Sequence, residues 1–174
     1  MMNSNIAEMP SADEKELFQP DNYSLSSLED EIQVDQRCQK LLKLFLGHLH
    51  KELGIDQLTA GAHARGADFF LRDYMIDHWH ENIFSITPDH VKGFGGNWYI
   101  IKTLEPNMKE LTSLLEGIAS FYTFCAYKKL LRPEISDSIV SACSKLSFYQ
   151  QRIDSFHELE DGEYLDWDKA CPIR

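Results

Sequence analysis

Between Pro106 and Pro133 lies the segment NMKELTSLLEGIASFYTFCAYKKLLR, whose pattern limits the possible folds of this chain more than any other feature. Its apolar side chains recur every three or four residues, at Leu111, Leu114, Leu115, Ile118, Phe121, Tyr122 and Cys125. A period of 3.6 residues puts such side chains on one broad face of a helix, and that face must be buried against other elements. The segment therefore predicts a long helix in the core of a helical protein.

Four other stretches repeat apolar residues at helical spacing: 37–54, 60–79, 88–105 and 134–157. The first carries a stripe that predicts a buried face at Leu41, Leu42, Phe45, Leu49 and Leu53. Gly54 is a typical helix end. Thr59, Thr87 and Ser136 have side chains that are typical of helix N-caps. No stretch is convincing as a strand, so the predicted fold is all-α, a compact bundle of about five helices.

Three glycines, Gly93, Gly95 and Gly96, lie close together ahead of a tryptophan, and glycines that dense cradle a phosphate in many enzymes. A phosphate loop needs a preceding apolar strand and, in the commonest class, a Gly-Lys-Ser/Thr end, and neither is present here. The apolar stripe instead continues through the glycines at Val91, Phe94, Trp98 and Ile101. The glycines are therefore predicted to lie inside a helix, where they allow another helix to pack closely.

A second cluster of small residues occupies the first half of the stretch 60–79, at Gly61, Ala62, Ala64, Gly66 and Ala67. Small side chains allow two helix backbones to approach, whereas each helical glycine costs about 1 kcal/mol relative to alanine. A close helix crossing is the simplest reason for such a cluster, and we expect one in this half of the helix.

The net charge of −11 is concentrated at the two ends of the chain. Residues 1–36 contribute −8, residues 37–149 contribute +1 and residues 150–174 contribute −4. Acidic, polar ends without apolar periodicity are typical of solvated tails. We therefore expect an acidic, partly disordered N-terminal tail over 1–35, a helical domain over 36–157 and an acidic C-terminal tail over 158–174.

Neither the apolar runs nor the start of the chain predicts a membrane-spanning helix or an export signal. No run approaches the roughly 20 apolar residues that span a bilayer, and the first 18 residues lack a basic flank with an apolar centre. The four cysteines, Cys38, Cys125, Cys143 and Cys171, are far apart and form no Cys-x-x-Cys pair. These features predict a cytoplasmic protein with reduced thiols and no membrane contact.

Histidine and acidic residues give a weaker indication of chemistry. On one helix Asp73, Asp77 and either His80 or Glu81 would share a face, and such ligands suit zinc or iron. The His-x-His pairs at 48–50 and 78–80, however, point to opposite sides of a helix, and no His-Glu-x-x-His pattern occurs. No serine or cysteine has a histidine at a spacing that supports nucleophilic catalysis. The sequence predicts a non-catalytic protein without metal or cofactor.

The order of elements over residues 57–135 carries a resemblance to a known family. The segments ADFFLRDYMID, SITPDHVKGFGGNWYIIKT and NMKELTSLLEGIASFYTFCAYKKLLRPE follow one another there, with the aromatic pair Phe121 and Tyr122, the basic pair Lys128 and Lys129, and then Pro133. In this order they resemble the core-binding domain of tyrosine recombinases and phage integrases. The resemblance implies a SAM-like bundle with orthogonal packing that wraps DNA.

The resemblance implies DNA contacts at four basic residues, Lys102, Lys128, Lys129 and Arg132. These residues would line one face around the long helix and contact phosphates. The chain departs from the family after Pro133, since it has no His-x-x-Arg motif and no catalytic domain of that kind. Its middle region also has almost no surplus of positive charge, although DNA binding by such a domain requires one.

Three functions of different classes are consistent with these features. We rank first a non-catalytic helical module that associates with another protein or with itself. The alternative is a DNA-binding module like the recombinase core-binding domain, which the charge balance disfavours. A metal-binding helical bundle ranks third.

Overall fold

The computed structural model describes residues 10–171 and 173, and within these residues the chain forms eight helices and no strand. They are α1 (Ala12–Leu17), α2 (Leu28–Gly47, continued by the π-helical turn His48–Glu52), α3 (Gln57–Asp68, continued by the π-helical segment Phe69–His78), α4 (Pro88–Gly93, the π-helical turn Phe94–Trp98 and Tyr99–Lys102), α5 (Met108–Tyr127), α6 (Pro133–Cys143), α7 (Leu146–His157) and α8 (Tyr164–Lys169). A 3₁₀ turn at Pro20–Tyr23 precedes α2. The all-α prediction is confirmed.

The predicted number of five helices is too low, for two reasons. The last predicted helix is divided at Ser144 and Lys145 into α6 and α7, and the Tyr149 hydroxyl donates to the carbonyl of Ala142 across the break. The short helices α1 and α8 lie in the acidic segments. The charge of these segments predicted tails, although each segment contains an apolar residue that anchors its helix.

Two of the three predicted N-caps are also wrong. Thr59 lies inside α3, where its N–H donates to the side chain of Asp56, the true N-cap. Ser136 lies inside α6, which begins at Pro133, and its buried hydroxyl donates to the carbonyl of Tyr122. Thr87 does occupy the N-cap position of α4, with Pro88 as the first helical residue.

The most extensive helix pairing joins α3 to α5, and two glycines set how closely the backbones approach. A Cβ atom added to Gly66 would lie 2.8 Å from the carbonyl oxygen of Leu114. One added to Gly117 would overlap the carbonyl oxygen of His63. Since the obstacles are backbone atoms on both sides, no rotamer change can relieve them. The expectation of a close crossing in the first half of this helix is correct, and Gly66 is the residue that permits it.

The other glycine cluster lies within α4, as predicted, but side chains rather than a backbone occupy the space beside it. A Cβ atom on Gly95 would lie 2.8 Å from the ring of Tyr149, and one on Gly96 would lie 2.9 Å from the ring of Phe148. A Cβ atom on Gly93 would lie 2.6 Å from the Tyr74 hydroxyl and would also overlap the side chain of Ile173. These glycines therefore let aromatic rings lie directly against the α4 backbone.

Helical order extends beyond the predicted limits of 36 and 157, because one aromatic residue anchors each acidic segment. Tyr23 is fully buried, and its hydroxyl donates to the carbonyl of Leu17. The buried Trp167 ring stacks on the Arg152 guanidinium at 3.9 Å, and Arg152 donates to the carbonyls of Gly96 and Trp167. Residues 1–9 of the predicted disordered tail lie outside the described residues.

Substitution of Gly117 by alanine is expected to lower the free energy of unfolding by about 1–3 kcal/mol, because the added methyl group forces two backbones apart. Gly61, which has no neighbouring atom within 4 Å of its added Cβ, provides the control on α3. Gly61→Ala should raise stability by about 0.5–1 kcal/mol through helix propensity alone. Urea denaturation of both variants measures the difference, and equal effects would contradict the close crossing.

Candidate functional site

The four basic residues that the family resemblance suggested do not share one face. Tyr99, near the end of α4, bonds through its hydroxyl to the carbonyl of Asn107 and to Glu110, so Lys102 lies near the start of α5. Lys128 follows the last residue of α5. A helix of 20 residues is about 30 Å long, and this length separates Lys102 from the other basic residues.

Lys128, Lys129 and Arg132 lie together in the tight turn between α5 and α6. Lys129 has a left-handed backbone with a φ of 62°, and Leu130 N–H donates to the carbonyl of Cys125. The Lys128 ammonium lies 5.4 Å from the ring centroid of Tyr127 and 6.0 Å from those of Phe18 and Phe124. This lysine therefore lies against aromatic rings, while Lys129 and Arg132 are exposed.

Beside this turn an open groove of about 500 Å³ runs between the end of α2 and the second half of α5. We call it the α2–α5 groove. Its lining residues are His48, Leu49, Glu52, Leu53, Ser120, Thr123, Phe124 and Tyr127. Leu49 and Phe124 are buried and form an apolar floor, whereas Leu53 and Tyr127 are 58% and 64% exposed on its rims.

The π-helical turn His48–Glu52 shapes one wall of this groove. A π-helical turn contains more residues than an α-helical turn, so the side chains after it leave the stripe that the sequence predicts. This is why Leu53 lies on the rim of the groove, although the α-helical period predicts that it is buried with Leu49. The structure thus exposes a large apolar side chain that the sequence pattern places in the core.

His48 is the polar residue held most tightly in the groove. Its Nδ1 lies 2.9 Å from a carboxylate oxygen of Glu52, and its ring centroid lies 5.1 Å from Phe124 and 5.2 Å from Tyr127. Only 8% of the residue is exposed. With its ring held between an acid and two aromatics, His48 connects α2 to α5 and forms part of the wall.

The hydroxyl groups and thiols near the groove do not form an activated nucleophile. Thr123 donates its hydroxyl to the carbonyl of Ala119, one turn earlier on α5. Cys125 is fully buried, and burial raises the pKa of its thiol well above the usual value. Burial also raises the pKa of Cys143 to about 12. The groove therefore presents shape and apolar surface rather than reactive groups.

A different group of side chains resembles a catalytic triad in its distances. The Thr87 hydroxyl lies 2.9 Å from Nδ1 of His90, and Nε2 of His90 lies 3.0 Å from the carboxylate of Glu81. The backbone N–H of Thr87 also donates to the same Nδ1, which is the pairing of a helix capping box. These contacts satisfy the start of α4 and explain the arrangement without catalysis.

The residues that the sequence suggested as metal ligands contact different partners. Glu81 lies beside His90, while His80 lies 3.5 Å from Glu31 of α2. Within residues 10–171 and 173, no three histidine, cysteine or acidic side chains are placed to hold a metal ion. Across the same part of the chain, no helix has the length and apolar character needed to span a membrane.

No protein-family model, curated protein or solved structure matches this chain. The resemblance to the recombinase core-binding domain therefore depends on the residues of this sequence and stays a prediction.

The 174-residue chain is expected to give no mobility shift with duplex DNA at low salt. Lys128, Lys129 and Arg132 form one small basic turn, Lys102 lies about 30 Å away, and the acidic segments repel phosphate. An electrophoretic mobility assay measures the binding of the chain to duplex DNA. A salt-sensitive shift that disappears in a Lys128→Ala, Lys129→Ala, Arg132→Ala variant would contradict the expectation and favour the DNA-binding alternative.

Proposed function

We propose that this chain is a non-catalytic helical module that associates with another protein, and that the α2–α5 groove takes an apolar segment of that partner. The observation that carries the proposal is the pair of exposed residues Leu53 and Tyr127 on opposite rims of an apolar floor. Complete burial of one such side chain contributes about 1.5–3 kcal/mol, so a partner that covers both rims gains stability from each.

The shape of the groove suits an amphipathic helix as the occupant. Two helices form its walls, and a third helix can place apolar side chains between them at i, i+3 and i+4 spacing. A volume of about 500 Å³ accommodates a few anchor side chains, which is the scale of helix-in-groove recognition. The half-buried Ser120 and the exposed Thr123 place hydroxyl groups along one wall.

Charge at the end of the groove defines the partner segment further. The Lys128 ammonium lies beside Tyr127 and its charge is directed over the aromatic rings at this end. An acidic residue one turn beyond the apolar anchors of the partner would lie close to this ammonium. The occupant is therefore an amphipathic helix with apolar anchors and an acidic residue at one end.

A second copy of this chain is a less suitable occupant. Each copy carries a net charge of −11, so two copies repel one another. A stable dimer also buries about 800 Å² on each partner, much more than two rim residues and a narrow floor supply. We therefore propose association with a different protein rather than self-assembly.

DNA binding with a SAM-like, orthogonal packing of the helices is the alternative function. The order of elements over 57–135 supports it, together with the exposed side chains of Lys129 and Arg132 in one turn. It ranks second because Lys102 lies at the far end of α5 and because the acidic segments at both ends of the chain add negative charge.

A photo-crosslinking amino acid at position 127 is expected to give a discrete covalent product with one partner in cells that express this chain. Tyr164 is the matched control, since it is also a partly exposed tyrosine, 43% exposed, but lies on α8 outside the groove. A product from position 127 and none from position 164 supports the proposal. Mass spectrometry then identifies the partner segment, which should contain an amphipathic helix.

Two leucine substitutions separate a specific groove contact from general apolar adhesion. Leu53→Glu should abolish the product at position 127, because it places a charge on the opposite rim. Leu104→Glu, which changes a fully exposed side chain in the loop before α5, should leave the product unchanged. Equal products from positions 127 and 164, or a product that survives Leu53→Glu, would contradict the proposed site.

A further inference from the structure

The end of the α2–α5 groove lies next to the N-terminal helix α1. The Lys128 ammonium lies 6.0 Å from the ring centroid of Phe18, the residue that follows α1, and 5.4 Å from that of Tyr127 on the rim of the groove. Leu17, the last residue of α1, is buried, and its carbonyl accepts a hydrogen bond from the Tyr23 hydroxyl. The residues that precede α1 are therefore attached to a well-anchored helix beside the groove.

The length of this preceding segment is sufficient to reach the groove. Residues 1–9, with the sequence MMNSNIAEM, lie before the described part of the chain. An extended chain spans about 3.3 Å per residue, so these residues reach about 30 Å. Between Pro10 and Phe18, one short helix and its flanking residues cover at most about 17 Å. Because the reach exceeds this separation, residues 1–9 can enter the groove without any change in α1.

The apolar side chains of the segment have the spacing that the groove accepts. Met2 and Ile6 are four residues apart, so a single helical turn presents both to the same surface. Methionine is unbranched and fills irregular apolar surfaces well. The floor of the groove is apolar, and its rim residues Leu53 and Tyr127 are exposed. The segment therefore supplies two apolar anchors for a surface that the described residues leave uncovered.

Charge sets the orientation of the segment. Glu8 is the only charged side chain among residues 1–9, and it follows Ile6 by two residues. The path from Ile6 to Pro10 passes the end of the groove where Lys128 lies beside α1, so the Glu8 carboxylate comes close to the Lys128 ammonium. Met9 precedes a proline and therefore favours an extended backbone, which suits a connector between the groove and α1.

A second cleft within reach is less suitable for these side chains. It has a volume of about 160 Å³ and lies between α1 and α2. Six of its seven lining residues carry charged or amide side chains, and Leu17 is the apolar exception. Burial of methionine or isoleucine there would remove water from polar groups without replacing their hydrogen bonds. The α2–α5 groove is therefore the favoured position for Met2 and Ile6.

We propose that residues 1–9 occupy the α2–α5 groove of their own chain, with Met2 and Ile6 on its apolar floor and Glu8 beside Lys128, and that a partner helix must displace them. This inference rests on the proposed function, because it uses the same groove. A segment on a short connector competes at a local concentration on the order of millimolar, so weak contacts are enough to lower the apparent affinity of the partner.

Photo-crosslinking of the purified 174-residue chain, without any partner, tests this occupancy. With p-benzoylphenylalanine at position 127, irradiation should give a product with the mass of one chain, in which mass spectrometry finds position 127 joined to a residue within 1–9. The same amino acid at position 164 should give no link to residues 1–9. The proposal would be overturned if position 127 gave no such link, or if the link appeared only in a product with the mass of two chains.

Two aspartate substitutions separate the apolar anchor from the effect of added charge. Ile6→Asp should lower the yield of the intrachain link at least about fivefold, because a carboxylate replaces an apolar side chain. Ser4→Asp adds the same charge on the opposite side of a helical turn, so it should change the yield by less than about twofold. Both positions lie outside the described core, which neither substitution alters. Equal losses from the two variants would contradict the proposed contact of Ile6.

The intrachain link and the partner product can fail separately. A link in the purified chain without a partner product in cells would overturn only the proposed function. A partner product without the intrachain link would overturn only the occupancy by residues 1–9. Where both form, Ile6→Asp should raise the yield of the partner product at position 127 at least about twofold, because the competing segment is weakened. An unchanged yield would contradict the competition.

Discussion

The direct contact between the backbones of α3 and α5 is the constraint on which the rest of this structure depends. At Gly66 and Gly117 there is no space for even one methyl group, because each glycine faces a carbonyl group of the other helix. Close contact at these two points fixes the rotation of α5 about its own axis relative to α3. With this rotation, Phe121 and Phe124 face Phe45 of α2, at centroid distances of 5.4 and 5.5 Å. The position of the α2–α5 groove follows from this packing.

A groove between two helices remains open once the core is formed. The α2–α5 groove is open and apolar, with a lysine at one end, and these properties suit a helix of another protein. The thiols of Cys38 and Cys125 lie in the core, and burial raises their pKa above the usual value.

Periodicity was sufficient to predict that the chain is helical, that Gly93, Gly95 and Gly96 lie within a helix, and that the small residues around Gly66 lie at a crossing. It failed where the structure depends on a single residue or on a change of helix type. Tyr23 and Trp167 anchor segments whose average charge predicts tails. The π-helical turn after α2 moves Leu53 out of the buried stripe. Both effects are local exceptions to an averaged pattern.

The candidate sites were less predictable, because each depends on helices that are distant in the sequence. A helical period tells which residues share a face, but it does not tell which ends of two helices meet. Lys102 and Lys128 were therefore expected on one face, although the contact of Tyr99 with Asn107 and Glu110 places them at opposite ends of α5. For the same reason no sequence pattern pairs Leu53 with Tyr127.

The most direct test of this account is a nuclear Overhauser measurement of the α3–α5 contact. The account predicts strong cross-peaks between the Hα protons of Gly66 and Leu114 and between those of Gly117 and His63, because backbone atoms meet there without side chains between them. Absence of both cross-peaks, with Gly66 and Gly117 instead contacting side-chain protons, would contradict the account, since the rotation of α5 and the position of the groove would then lack their cause.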